Sequence, residues 1–316
     1  MATAFSPTNS VTTTTAANFI PEIWSDEIVA AYKKNLVMAN LVMKMNFKGK
    51  KGDTVHIPAP TRGSASAKAA ETAVTLIAAT ESEVQVSINK HYEYSRLIED
   101  IVEAQALNSM RQFYTSDAGY ALARQVDTDL IQLGRLANGG AGTNAYASAY
   151  IGGDGTTAYV AASNNESALT DAAIRRTIQR LDDNDTPMDQ RFFLIPPSSR
   201  NTLMGLARYT EQAFVGGTNS TIRTGEIGNL YGIPVFVSSN CDTASGSAAA
   251  RVCLMGHRDA VVLVEQIAVR SQVQYKQEYL ATLFTSDTLY GVQILRSAAS
   301  VSAAKSASMF ALLVPA

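Results

Sequence analysis

Hydrophobic residues recur every three or four positions in two long stretches of the chain, which is the spacing of one face of an α-helix. The first stretch begins near Pro21, a residue favoured in the first turn of a helix, and predicts an amphipathic helix to about Asn40. The second and stronger stretch runs from about Asp100 to Leu136. An unbroken helix there would be about 50 Å long, but Gly119 in its middle weakens the prediction of one continuous rod.

Alternating hydrophobic and polar residues predict two strands on either side of a long loop. The first strand is expected at Thr54–Pro58 after Gly52-Asp53, and the second at residues 84–88, continuing to Tyr94. Residues 59–83 between them are mostly Ala, Ser, Thr and Gly, with little that can pack. A loop of this length without its own core is unusual in a compact monomer. We therefore expect a hairpin that leans on another chain.

Helical and strand patterns alternate in the second half of the chain. A helix capped by Ser167 or Thr170 is expected to end near Leu181, and Ser198 is expected to cap a second helix over Ser199 to Tyr209. Strand patterns lie at residues 191–195, 252–255, 260–265 and 269–302, and residues 226–237 are expected to form a turn that leads into another strand. A loop with a short hairpin is expected at 138–165.

Composition limits where the chain folds and what it binds. Residues 1–18 are largely Thr, Ala, Ser and Asn, so we expect an extended or disordered arm. The N-terminus lacks the pattern of a secretory signal, and the uncharged stretch 306–316 is too short to span a bilayer, so folding in a cytoplasm and no membrane partner are expected. The formal net charge of −2 argues against strong nucleic-acid binding. Cys241 and Cys253 are expected to be buried thiols, with one disulfide as the alternative.

The sequence has no motif for catalysis or cofactor binding. His56, His91 and His257 stand alone, so they are expected at the surface or an interface and not in a zinc site. No GxSxG motif occurs, and Gly139-Gly-Ala-Gly142 lacks the Lys and Ser or Thr that end a phosphate-binding loop. We therefore expect no catalytic residue, no cofactor and no bound metal.

Charged residues cluster at three places. The acidic run 182–185 is expected to be a solvated helix end, with a weak cation site as the alternative. Four lysines within residues 44–51 form either a solvated turn or a patch that meets acidic groups of a neighbouring subunit. Glu99, Asp100 and Glu103 lie at the predicted start of the long helix, where carboxylates interact favourably with the helix dipole.

The order of these elements resembles that of the major capsid proteins of tailed bacteriophages with the Hong Kong 97 phage fold. Residues 52–58 (GDTVHIP) are similar to the opening of that family's extended loop, the E-loop, and residues 87–100 to its return strand and the entry to the spine helix. Residues 228–237 (GNLYGIPVFV) resemble a turn and strand of the axial domain, and residues 257–261 the stretch that follows it. The resemblance covers nearly the whole chain.

The resemblance implies an α+β fold with an N-arm, an E-loop hairpin, a spine helix, a peripheral domain and an axial domain. The implied division is 1–50 for the arm and amphipathic helix, 51–94 for the E-loop, 95–165 for the peripheral domain with the spine helix, 166–268 for the axial domain, and 269–316 for the peripheral return strands and the C-terminus. Some family members cross-link a Lys to an Asn. Lys68 lies in the loop, but no Asn can be matched to that pair, so the chemistry is not carried over.

The function implied by the resemblance is self-assembly. Copies of the chain are expected to form the hexamers and pentamers of an icosahedral head around double-stranded DNA, which they do not read by sequence. The head is expected to be assembled in the host cytoplasm and kept in the virion, with scaffolding, portal and decoration proteins as further partners. The candidate subunit-interface residues are Trp24, Tyr32, Arg62, Lys68, Glu71, Glu99, Asp100 and Glu103.

Three other functions remain open at this point. An encapsulin-like shell shares the fold but encloses enzymes, and the long N-terminal arm argues against it. A hydrolase or transferase of unrelated α/β fold would need a pocket with convergent polar groups. A secreted adhesin is disfavoured because the N-terminus has no secretory signal.

Overall fold

The computed structural model describes the chain from residue 37 onward, with gaps. The described residues are 37–59, 63, 65–74, 76, 83–100, 109–136, 149–160, 162–206, 228–241, 250–296 and 307–316. The predicted arm and most of the first predicted helix therefore lie outside the described residues.

Four α-helices and twelve strands occur in the described part of the chain. The helices are α1 (Met38–Leu41), α2 (Ser109–Arg135), α3 (Asp171–Asp183) and α4 (Pro197–Met204). The strands are β1 (Met43–Asn46), β2 (Thr54–Pro58), β3 (Glu83–Ser87), β4 (Lys90–Glu99), β5 (Tyr150–Ile151), β6 (Arg191–Ile195), β7 (Asn229–Leu230), β8 (Ile233–Val237), β9 (Ala250–His257), β10 (Val261–Lys276), β11 (Ala281–Ile294) and β12 (Met309–Pro315).

The first sheet has four strands in the order β1-β10-β11-β4. β1 runs parallel to β10, and the other pairs are antiparallel. The β10–β11 hairpin is long because strands of 16 and 14 residues are joined by a short turn, in which Leu280 has a positive φ of 46°. Residues 261–264 of β10 are buried, whereas residues 269–275 are exposed. The outer half of this sheet therefore extends away from the core.

The second sheet has six strands in the order β5-β12-β9-β6-β8-β7. Successive residues of β6 face opposite sides, as strand geometry requires. Phe192 and Leu194 pack in one cluster with Leu130 of α2, and Phe193 packs in another with Ile174 of α3. Because both faces are covered, the central strands are hydrophobic without alternation.

The long helix α2 holds the two sheets together. It is continuous over 27 residues, or about 40 Å. Leu130 lies in one cluster with Leu254 of the six-stranded sheet and Leu263 of the four-stranded sheet. A Cβ at Gly134 would lie 2.9 Å from Leu254, so this glycine allows the close approach of helix and sheet. Gly119 does not interrupt the helix, and a Cβ there would meet open space.

Three local predictions are confirmed. Thr170 caps α3, since its hydroxyl accepts a hydrogen bond at 3.3 Å from the backbone N–H three residues later. β2 and β3 pair antiparallel, with Pro58 opposite Glu83. The turn before β8 has positive φ at Tyr231 (52°) and Gly232 (82°), as a type I′ hairpin turn requires.

The observed helix α4 differs at both ends from the helix predicted over residues 199–209. It begins at Pro197, whose fixed φ suits the first helical position, and Pro196 precedes it as the N-cap. Ser198 is therefore not the cap, and its hydroxyl donates instead to the carbonyl of the last residue of β12 at 3.1 Å. The helix already ends at Met204.

Two of the charged residues singled out from the sequence lie in strands. Glu99 is the last residue of β4 and pairs with Ala281, and it directly precedes Asp100, where the long helix was predicted to begin. Lys44 lies in β1 opposite Leu263. Only the lysines within residues 48–51 lie in the turn that was predicted.

The C-terminal strand β12 was not predicted from the sequence pattern. Residues 309–314 are fully buried and form a central strand between β5 and β9. They therefore complete the sheet to which the predicted axial region 166–268 contributes four strands. The domain boundaries themselves stay a prediction.

Candidate subunit interfaces

The β2–β3 hairpin is anchored at its base to the four-stranded sheet. Val86 and Ile88 are buried in a small cluster with Val262 of β10. β11 approaches so closely that a Cβ at Gly291 would lie 2.5 Å from the carbonyl oxygen of Ser87. The base is thus fixed by packing and by backbone contact.

The described part of the loop beyond this base is exposed throughout, at residues 63, 65–74 and 76. Val74 is 67% exposed and Leu76 is 89% exposed. Glu71 has a positive φ of 64°. The loop therefore presents apolar side chains that its own subunit leaves in solvent.

A shallow cavity of about 270 Å³ lies beside the base of the hairpin. Its apolar lining includes Phe47, Val55 and Ile88, and the solvent-exposed Lys50 and Lys51 also line it. The side-chain amide of the neighbouring Gln266 donates to the backbone carbonyl of Lys50 at 2.8 Å, which fixes the path of this turn. We call this the lysine-rimmed cavity, and it also includes His56.

The far end of the four-stranded sheet carries the opposite charge. We call it the acidic tip; it consists of Glu99, Asp100 and the turn 275–280. The hydroxyl of Tyr275 donates to the Asp100 carboxylate at 2.7 Å, and the backbone N–H of Asp100 donates to the Leu280 carbonyl at 3.1 Å. Leu280 is 66% exposed. An exposed apolar side chain thus stands beside carboxylates at the tip.

An ion pair links adjacent strands of the sheet between its base and the acidic tip. The buried Asp287 carboxylate accepts two hydrogen bonds from Arg270, at 2.8 and 2.9 Å, and lies 3.2 Å from the Nε2 atom of His91. These three residues come from three adjacent strands. The hydrogen bonds from Arg270 lower the pKa of Asp287, and burial opposes that effect.

Two buried aspartates of α2 hold the surrounding elements in place. Asp129 accepts from the Tyr290 hydroxyl at 2.8 Å and lies 2.9 Å from the Lys90 ammonium, so it links α2 to β11 and β4. Asp127 accepts from the backbone N–H of Met38 at 2.8 Å, which joins α1 to α2. Burial raises the pKa of Asp127. Both residues were missed, although acidic residues in the apolar stripe of a long helix are a visible signal.

The predicted interface residues fall into two exposed groups. Lys68 and Glu71 lie in the loop between β2 and β3, and Glu99 and Asp100 lie at the acidic tip. The remaining candidates lie outside the described residues; they are Trp24, Tyr32, Arg62 and Glu103.

The two cysteines and His257 are buried, whereas His56 is exposed. Cys241 and Cys253 are buried and free, and burial raises the pKa of Cys253 to about 12. His56 is exposed and lies 3.0 Å from Glu83. His257 is buried, contrary to expectation, because it ends the central strand β9; its Nδ1 atom accepts a hydrogen bond from the backbone N–H of Asp259 at 3.2 Å.

Two further findings concern the described residues only. They contain no cluster of three His, Cys, Asp or Glu side chains arranged to hold a metal ion. None of their helices combines the length and apolar character needed to cross a membrane.

Comparison with known structures identifies the fold. A chain titled Mycobacterium phage Che8 superposes with a TM-score of 0.72 at 21% identity, over 93% of this chain and 97% of that one. The capsid of cyanophage P-SCSP1u gives 0.72 at 18% identity over 99% of both chains, and the capsid of cyanophage Pam1 gives 0.70 at 13% over 98% of both. The predicted Hong Kong 97 phage fold class is thus confirmed. No curated protein matches the sequence.

The sequence also matches a family model. The model, described as the phage capsid family, covers residues 16–303, which is most of the chain. The match to the phage capsid family favours the predicted head over the encapsulin-like alternative. The chain belongs to the phage capsid family and is a major capsid protein that self-assembles into the icosahedral shell of a virion.

Proposed function

We propose that the chain forms the hexamers and pentamers of a phage head around double-stranded DNA, and that the loop between β2 and β3 holds neighbouring subunits together. The observation that carries this proposal is the exposure of Val74 and Leu76 in a loop without a core of its own. Full burial of such a side chain contributes about 1.5 to 3 kcal/mol. Several such contacts per subunit, repeated around a shell, add up as multivalent binding does.

The other contacts in this proposal come from the N-terminal arm and the outer half of the four-stranded sheet. In this arrangement residues 51–94 act as the E-loop, α2 as the spine helix and the six-stranded sheet as the axial domain. We assign subunit contacts to the residues predicted for them, which are Trp24, Tyr32, Arg62, Lys68, Glu71, Glu99, Asp100 and Glu103.

The proposed role is structural and not enzymatic. A net charge of −2 suits an inner surface that encloses DNA without binding it tightly. Assembly takes place in the host cytoplasm, with scaffolding, portal and decoration proteins as partners of the growing or finished head.

Electron microscopy of the purified full-length chain tests the proposal. We expect negatively stained samples to contain closed shells or ring-shaped capsomers, and sedimentation to show a species far heavier than the monomer of 33.7 kDa. The measurement is made over a range of protein concentrations, with and without co-expressed head proteins from the same phage. A chain that stays monomeric under all these conditions would contradict the proposal.

A further inference from the structure

We propose that the acidic tip of one subunit docks into the lysine-rimmed cavity of a second copy of the chain. The inference rests on the proposed function, because it specifies one of the contacts that build the shell. It assigns a partner to the lysine cluster, for which the sequence left two interpretations open.

The cavity fits an apolar group surrounded by negative charge. Its lining combines the apolar Phe47 and Ile88 with the exposed residues Lys50 and Lys51. Lys50 lies 4.8 Å from the centre of the Phe47 ring, and among the described residues no carboxylate forms an ion pair with either lysine. These cations are thus available to an acidic partner.

The acidic tip has the complementary composition. Tyr279 and Leu280 are 64% and 66% exposed at the turn, and the exposed carboxylates of Glu99 and Glu278 lie in the same tip. Burying two such apolar side chains on a partner favours binding, while the charges around them select the partner and its orientation.

Charges of the other sign are present on both surfaces and are outnumbered. Near the cavity, the three lysines of the exposed turn 48–51 outnumber two carboxylates, Asp53 beside that turn and Glu83, which lies 3.0 Å from His56. At the tip, Lys276 is half-buried beside three acidic residues. The surfaces therefore keep opposite net charges.

The two surfaces of one subunit cannot meet. The turn before the cavity is tied to β10 at Glu265, whose carbonyl accepts from the Phe47 backbone N–H at 2.9 Å. The tip turn starts at Gln277, and the strand between them spans about 35 to 40 Å at about 3.3 Å per residue. The contact is therefore between copies, and it joins two different surfaces. Such head-to-tail contacts generate closed assemblies when the rotation between subunits closes.

Cysteine cross-linking in assembled particles tests the contact. A chain with both Lys51→Cys and Glu278→Cys is assembled and treated with a short bismaleimide. We expect a ladder of covalent dimers, trimers and larger species in denaturing gels, and only monomer for each single variant. Background from Cys241 and Cys253 is low because both thiols are buried. Particles that give no ladder would overturn the contact but leave the proposed function intact, whereas an unmodified chain that never assembles would overturn the proposed function.

Charge reversal gives a second, independent test that does not depend on the cysteines. Two double variants are compared: Lys50→Glu with Lys51→Glu, and Glu99→Lys with Glu278→Lys. Each should reduce particle yield by at least about tenfold, because like charges then meet. A chain with all four changes restores opposite charges and should recover to within about threefold of the unmodified yield. Circular dichroism of the unassembled chains confirms folding. A fourfold variant no better than either pair would refute the docking.

Discussion

Asp287 places a negative charge in the middle of the long β-hairpin, where the Arg270 guanidinium neutralises it from one flanking strand and the His91 ring lies 3.2 Å from it on the other. Its pKa is lower in the folded chain than in the unfolded chain. Its contribution to stability is therefore fully present above the ordinary pKa of aspartate and is lost as the pH falls through the lower, folded-state pKa.

We predict that Asp287→Asn lowers the free energy of unfolding at neutral pH by about 1 to 2 kcal/mol, a modest value because the Arg270 side chain is half-exposed. The variant should also lose less stability than the unmodified chain between about pH 5 and pH 2. Chemical denaturation of the unassembled chain at several pH values measures both effects, with Asp189→Asn at an exposed position as control. An identical pH dependence in Asp287→Asn and the unmodified chain would count against the ion pair.

The sequence predicts the role of a single residue well only where its hydrogen-bonding or pairing partner is near in the chain. Thr170 was identifiable as a cap because the N–H that it accepts from lies three residues later. Asp129 was not, because Lys90 and Tyr290 are brought to it by two strands from distant parts of the chain. The same reason explains why Glu99 was interpreted only as the start of the long helix: its strand partner Ala281 is remote in sequence.

The long helix is fastened to the four-stranded sheet by Asp129 as well as by apolar packing. Its side chain is 4% exposed, and its carboxylate contacts Lys90 and the Tyr290 hydroxyl. Burial and this hydrogen bond both raise the pKa of Tyr290, so the tyrosine remains a donor. Removing the carboxylate leaves a cation and a buried hydroxyl without their acceptor.

We predict that Asp129→Ala destabilises the folded chain by about 3 kcal/mol or more, since a buried charge pair is broken from one side. Tyr290→Phe removes only the hydroxyl and should cost about 1 kcal/mol. Urea unfolding followed by circular dichroism measures both, and the double variant should be less destabilised than the sum of the two. Additive losses would show that the two side chains do not act together.

Five elements were predictable because each carries a clear periodicity or an uninterrupted buried run. They are helices α2 and α3 and strands β2, β6 and β9. β1 was not, because its four residues become a strand through pairing with residues 262–265 of β10, far along the chain. β12 is short and uniformly apolar, a pattern that indicates burial but not the partner strands.

At the scale of the whole molecule, a compact core carries extensions that it does not itself stabilise. The core lies around α2 and the buried strands, whereas the loop between β2 and β3 and the acidic tip are exposed. The sequence predicted this division for the loop, since a long stretch that is mostly Ala, Ser, Thr and Gly cannot build a core. It did not predict it for the tip, because alternation in β10 looks the same whether a strand is covered or exposed.

Shortening the loop separates assembly from folding. Pro58 and Glu83 are register partners, so residues 59–82 can be replaced by an Asn-Gly turn that closes the hairpin in type I′ geometry. We predict that the shortened chain keeps its thermal midpoint within a few degrees, because the buried base of the hairpin is unchanged, but that particle yield falls at least about tenfold. A full-length loop with Val74→Ser and Leu76→Ser distinguishes lost apolar contact from lost reach, and should show a smaller decrease. Normal shells from the shortened chain would mean that the loop is dispensable and that the arm and the sheet hold the subunits together.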